Sequence, residues 1–174
     1  MPGSSPTAAQ LSWMKTDDKG KYELVLDGQP LGWLQHGEYW NAESRAQFAG
    51  HTWLFRRPGS ALGRTEILQG DNPTAIASYK SHWGGGTLTF SDGSRMVVSC
   101  KGVWHHLWSL LDANGDAILT IEPTPRKVSV VRGQALATPG EDRSRLLLLA
   151  FFLWHQILQA QDEAEMVAIM SATS

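Results

Sequence analysis

Cysteine is almost missing. Cys100 stands alone in 174 residues, so no internal disulfide can brace the fold, and the reducing cytosol is the expected compartment. There is no basic surplus either. Fifteen Lys and Arg against seventeen Asp and Glu give a formal charge of −2, so no long-range field recruits nucleic acid. Charge of either sign is sparse at 18%, below the roughly 25% of an average domain, which implies extensive burial. A membrane-length apolar run is lacking too. The greasiest register, Leu146 to Leu158, would make a helix of roughly 20 Å where a bilayer core asks for about 30 Å. The segment Met1-Pro2-Gly3-Ser4-Ser5-Pro6 has neither a basic nor an apolar leader region, so no signal peptide is expected, and residues 1–9 read as a disordered lead. Catalytic fingerprints are absent: no G-x-S-x-G, no phosphate loop and no dinucleotide motif, and Cys100 has no nucleophile signature around it.

Trp (8) and Gly (17) are abundant, a pairing that suits β structure with many tight turns. Turn chemistry recurs every eight to twelve residues, the spacing of an all-β sandwich or barrel. Leu11–Met14, Tyr22–Leu26 and Pro30–Leu34 are the first predicted strands. The last two are joined by Asp27-Gly28, among the strongest local hairpin signals. Ala42–Ala49 and His51–Phe55 pair about Gly50. Glu66–Leu68, Ala75–Tyr79, Thr87–Phe90, Met96–Cys100, Trp104–Leu111, Ile118–Ile121 and Lys127–Val131 follow. Gly84-Gly85-Gly86 reads as a flexible turn. About twelve short strands of five or six residues, each roughly 17–20 Å long, close most simply into an antiparallel barrel.

Such a barrel leaves a wide lumen. The run Leu146-Leu147-Leu148-Leu149-Ala150-Phe151-Phe152-Leu153-Trp154 supplies its filling, because nine apolar residues at about 100° each leave a helix no polar face. Thr138-Pro139-Gly140-Glu141 has capping-box order, so the helix is expected over about 139–160, with 161–174 as a polar tail. The domain is then 10–160: a mainly β chain wound about one central helix. A filled lumen would also remove the usual ligand pocket at a barrel mouth.

Leu24-Val25-Leu26-Asp27-Gly28, Thr89-Phe90-Ser91-Asp92-Gly93, Leu110-Leu111-Asp112-Ala113-Asn114-Gly115 and the run Leu146 to Trp154 together resemble the tubby C-terminal-like superfamily. That group takes in tubby domains, LURP-one-related proteins and phospholipid scramblases. The resemblance implies a twelve-stranded barrel threaded by a hydrophobic helix. It also implies, by its tubby branch, an anionic head-group site made of basic residues. The cysteine-rich and calcium-responsive segments of scramblases have no counterpart here, and the chain looks most like LURP-one-related and bacterial members.

Arg56, Arg57 and Arg64 form the densest basic cluster and are the candidate binding residues. Neighbours on a strand face opposite ways, so at most one of Arg56 and Arg57 lines a given surface unless the turn has begun. Each cation near an anionic membrane adds only about 1 kcal/mol. Asp112-Ala113-Asn114-Gly115-Asp116 spaces oxygen ligands like a calcium loop, yet positions six and twelve are Ala117 and Pro123, and an Asn-Gly turn accounts for it. His105-His106 cannot easily share one metal ion from a strand. His155, on the apolar helix, needs a buried partner if it lies inside the barrel. No cofactor and no catalytic residue are expected. The function expected is a non-enzymatic binding or scaffold module, with an anionic lipid or a protein as partner. Peripheral binding to anionic lipid is the alternative, and a hydrolase or metalloprotein the remote one.

Overall fold

The computed structural model describes residues 11–37, 43–59, 63–102, 107–122 and 141–173, the side chains of 141–143 excepted. These residues hold eleven strands and one helix. The strands are β1 (Leu11–Lys15), β2 (Lys21–Leu26), β3 (Gln29–Gln35), β4 (Glu43–Phe48), β5 (His51–Arg56), β6 (Arg64–Gln69), β7 (Ala77–His82), β8 (Gly85–Phe90), β9 (Arg95–Lys101), β10 (Leu107–Leu111) and β11 (Ala117–Ile121). The helix is α1 (Glu141–Ala172). All neighbours are antiparallel, and the sheet order follows the chain from β1 to β11.

Turn residues explain the meander. Asp27 and Gly28 both take positive φ, 47° and 82°, as a two-residue hairpin of matching twist requires. Ala49-Gly50 does the same between β4 and β5, with φ of 51° and 75°. Gly84-Gly85-Gly86 departs from the expected flexible turn. Gly85 and Gly86 lie within β8, where a Cβ on the first would strike the Val98 carbonyl and one on the second the Tyr79 ring. Close packing accounts for two of these three glycines.

β2 and β6 each bury two adjacent residues, Leu24-Val25 and Ile67-Leu68. In most strands the buried residues alternate, as with Ser44, Ala46 and Phe48 on β4 and Trp53 and Phe55 on β5. Their face meets α1, whose residues Leu146 through Leu158 are all buried. Trp13 of β1 stacks on Trp154 (centroids 5.4 Å) and meets Phe151 edge-on at 4.9 Å. Phe48 of β4 stacks on Phe151 at 4.8 Å, and Tyr79 of β7 meets Phe152 at 5.3 Å. Strands β10 and β11 also touch the helix. A sheet that contacts one rod with both its first and last strands is bent around it.

β1 and β11 exchange no ladder hydrogen bonds among the described residues, so the finding is one curved eleven-stranded sheet about a helix. The strand expected at Lys127–Val131 and the cap at Thr138–Gly140 lie outside the described residues. The helix outruns the expected end near 160 and continues to Ala172. Residues 159–172 lack Pro and Gly and are rich in Gln, Glu, Ala and Met, all good helix formers, so loss of apolar burial does not stop the helix. No helix of the described residues is long and apolar enough to cross a membrane.

The helix has a direction within the sheet. Near its start, the Arg145 guanidinium sits 4.2 Å over Phe90 and donates to Ser94 Oγ, at the β8–β9 turn. At the opposite end, Asp162 and Glu163 meet residues that follow β3 and β5. We call this the exit end. It is built from the ends of β1, β3, β5, β7, β9 and β11 and the starts of the even strands up to β10.

Candidate functional site

Alternation sets the site. Phe55 points to the core, so Arg56 points out, where its Nη2 donates to Glu66 Oε2 at 2.9 Å across the β5–β6 ladder. Arg57 comes next and turns back over the exit end with its side chain only 18% exposed. Its Nη2 donates to Glu163 Oε1 at 3.3 Å, while its buried Nε finds no hydrogen-bond acceptor among the described residues. Arg64 opens β6, and no ion pair engages it among the described residues.

Arg57 and Arg64 both line a cavity of about 190 Å³ beside the emerging helix. Arg56 does not reach it. Of the three basic residues singled out in the sequence, the structure therefore joins two and leaves the third in a wall ion pair. Between the cations, Gln156 Nε2 donates to Thr65 Oγ1 at 3.2 Å, and Tyr79 OH donates to the Gly85 carbonyl at 2.9 Å. Gly63 permits the approach of the two strands, since a Cβ there would strike Ser81 Oγ. Burial, with Cys100 second, holds the Tyr79 phenol far above its ordinary range, and burial raises the Cys100 thiol. Both therefore stay neutral near pH 7 and offer hydrogen bonds, not charge.

The cavity corrects one expectation. A filled lumen was to remove the mouth pocket, but the helix turns small and polar where it leaves the sheet. Gln156, Gln159 and Ala160 leave room that a Leu or Phe would have filled. A second, wider groove of about 840 Å³ lies against the helix at the same end. Tyr22, His36, Asp162, Glu165, Met166 and Ile169 are among its lining residues.

A polar cluster that the sequence did not reveal borders the wider groove. His36 Nε2 lies 2.7 Å from Asp162 Oδ2, and Ser44 Oγ lies 3.4 Å from His36 Nδ1. Ser44 Oγ also accepts the Gly37 N–H at 2.9 Å; the residue is 3% exposed and lines neither cavity. Sequence separations of 126 and 8 residues hid this link, because no local periodicity joins a strand end to the far side of a helix. His155 is buried, yet among the described residues its two nitrogens lack the hydrogen-bond partner expected of such a position. It stacks on Phe55 at 5.2 Å and lies 5.7 Å from His36. Burial first, then the positive character of His36 and Arg57, push its pKa well below 6.5.

Asp112 Oδ1 accepts the N–H groups of Asn114 (2.8 Å) and Asp116 (3.0 Å), so this carboxylate caps its own turn. Among the described residues no three His, Cys, Asp or Glu side chains gather as a metal site would need, and His105-His106 lies outside those residues. No family model, curated protein or solved structure matches the chain.

Proposed function

We propose that the protein is a non-enzymatic binding module of tubby-like or LURP-one-like type, with the sheet closed into a barrel, and that its ligand presents a phosphate or similar anionic group to Arg57 and Arg64. The observation that carries this reading is their convergence, from either side of the β5–β6 connection, on one cavity of about 190 Å³. A phosphate-sized anion at contact distance from each guanidinium gains roughly 4 kcal/mol per charge at the effective dielectric of a protein surface. Planar guanidinium forks suit tetrahedral oxyanions. Gln156, Thr65 and the neutral Tyr79 phenol stand nearby to complete the shell. Neutral Tyr79 and Cys100 suit recognition better than turnover. A single cysteine, Cys100, is in keeping with a reducing cytoplasm.

Calorimetry with inorganic phosphate and inositol phosphates tests the reading. Saturable binding that weakens with salt, falls at least tenfold in Arg57→Ala/Arg64→Ala and survives in Arg56→Ala is expected. Equal loss in all three variants, or no binding by the parent chain, would overturn it. Hydrogen exchange tests closure: amides of β1 and β11 protected as well as those of β5 and β6 are expected of a barrel.

A further inference from the structure

The helix outlives its cover. Fourteen residues, 159–172, run on past Leu158, about 21 Å of helix. Two pairs hold the first of them to the rim, His36–Asp162 and Arg57–Glu163. Farther out, Val167, Ile169 and Met170 are exposed at 60%, 62% and 58%, although Leu146 through Leu158 on the same helix are buried. With Met166 they fall within an arc of about 160° around the axis, so the end of the helix carries an apolar face. Water is a poor surrounding for such a face, and a helical stretch of this length is marginal without packing.

The charges around it come in two halves. The same fourteen residues hold Asp162, Glu163 and Glu165 but no Lys or Arg, and the last turn has no basic residue to meet its carbonyl dipole. A hydroxyl serves there instead, Thr173 Oγ1 donating to the Ile169 carbonyl at 3.2 Å. Lys15 and Lys19 stand on the rim of the wider groove. Lys15 is exposed and has no ion pair among the described residues. Met166 and Ile169 line the same groove, which at about 840 Å³ has room for several more side chains. One chain thus presents both an acidic, apolar helix end and a lysine-rimmed groove that would receive another.

We infer that two copies of the chain pair through these helix ends, antiparallel and crossing near Val167 and Met170, with each last turn laid in the other copy's groove beside Lys15 and Lys19. A two-fold pairing uses one patch on both copies, so both halves of the surface are met at once. A foreign basic helix would suit the acids but leave the lysines of the groove unmet. The direction follows from charge. Parallel helices would bring the three acids of one copy against those of the other, at a cost. In the antiparallel pairing Glu165 of one copy lies level with Ala172 of the other. The acids are kept apart, and the negative end of each helix dipole meets lysine.

Analytical ultracentrifugation over a range of concentrations tests it. The parent should show a reversible monomer–dimer equilibrium. Val167→Asp/Met170→Asp should raise the Kd of the dimer at least tenfold, and a chain stopped after Ala160 should be a monomer. Lys15→Glu should raise it about threefold at low salt and less as salt rises. The substituted chains should keep the parent's near-UV circular dichroism, since the side chains changed are exposed. In a Cys100→Ser background, a mixture of Val167→Cys and Met170→Cys chains should oxidise in air to the mixed disulfide ahead of either like pair. A parent still monomeric at about 1 mM, the weak limit for a specific contact, would overturn the inference. So would a dimer indifferent to Val167→Asp/Met170→Asp, or like pairs forming ahead of the mixed one. A monomeric parent that binds a basic amphipathic peptide through Val167 and Met170 would also overturn it, and would give the helix end to a different protein.

Discussion

At the scale of single residues, His155 has the clearest consequence. Its folded-state pKa lies well below the ordinary 6.5, so the unfolded chain takes up a proton first as pH falls. Stability should therefore decline below about pH 6.5, by up to about 1.4 kcal/mol per pH unit, until the folded ring protonates or the chain unfolds. His36 and Arg57, which face the ring, act on it in the same direction as burial and deepen the effect. Urea melts between pH 7 and 5.5 should show this slope, and His155→Phe, stacking on Phe55, should flatten it. Ala49 offers a gain. A left-handed Ala costs about 1–2 kcal/mol, whereas Asn tolerates that conformation ahead of Gly50. Ala49→Asn should stabilise by roughly 0.5–1 kcal/mol, read as a raised Tm. Glu163 is a third test, because it already holds one arm of Arg57. Glu163→Gln should strengthen phosphate binding severalfold, measured by calorimetry, if the ligand and this carboxylate compete for the same guanidinium.

At the scale of elements, the helix has two halves with different duties. Leu149 is 2% exposed in the midst of the sheet, so Leu149→Asp buries a charge with no partner at a cost comparable to the roughly 5–15 kcal/mol that holds a domain together. We expect inclusion bodies or an unfolded product, as for any chain stopped before Leu146; normal yield with a cooperative melt would contradict this. A chain stopped after Ala160 should instead fold and lose about 1 kcal/mol, since the pairs given up, His36–Asp162 and Arg57–Glu163, are partly exposed. The contrast follows what the sequence could convey. Asp-Gly turns, alternating strands and a nine-residue apolar run state their own structure locally, and the strands so predicted overlap those found wherever the residues are described. The helix extension was unreadable because apolar periodicity marks burial, while Gln, Glu and Ala keep a helix going without it. The cavity was half readable: Arg57 and Arg64 announced charge, but Gln156, Thr65 and Tyr79 joined them only through the third dimension.

At the scale of the whole molecule, the order of parts matters as much as their shapes. Every strand pairs with its neighbour in sequence, so hairpins can form as soon as each turn is made. The residues that cover their inner faces come last. At about 5–20 residues per second, translation leaves the inner face of β1 waiting roughly 7–30 seconds before Leu146 is even joined to the chain. During that interval Trp13, Phe48 and Phe55 have no Phe151, Phe152 or Trp154 to meet. The nascent protein is thus an empty cup made before its stopper. Holding chaperones should be found on ribosomes stalled between Ile121 and Leu146 and be gone once the stopper clears the exit tunnel. A nonsense codon anywhere before Leu146 would then leave debris for proteolysis and no partly active fragment.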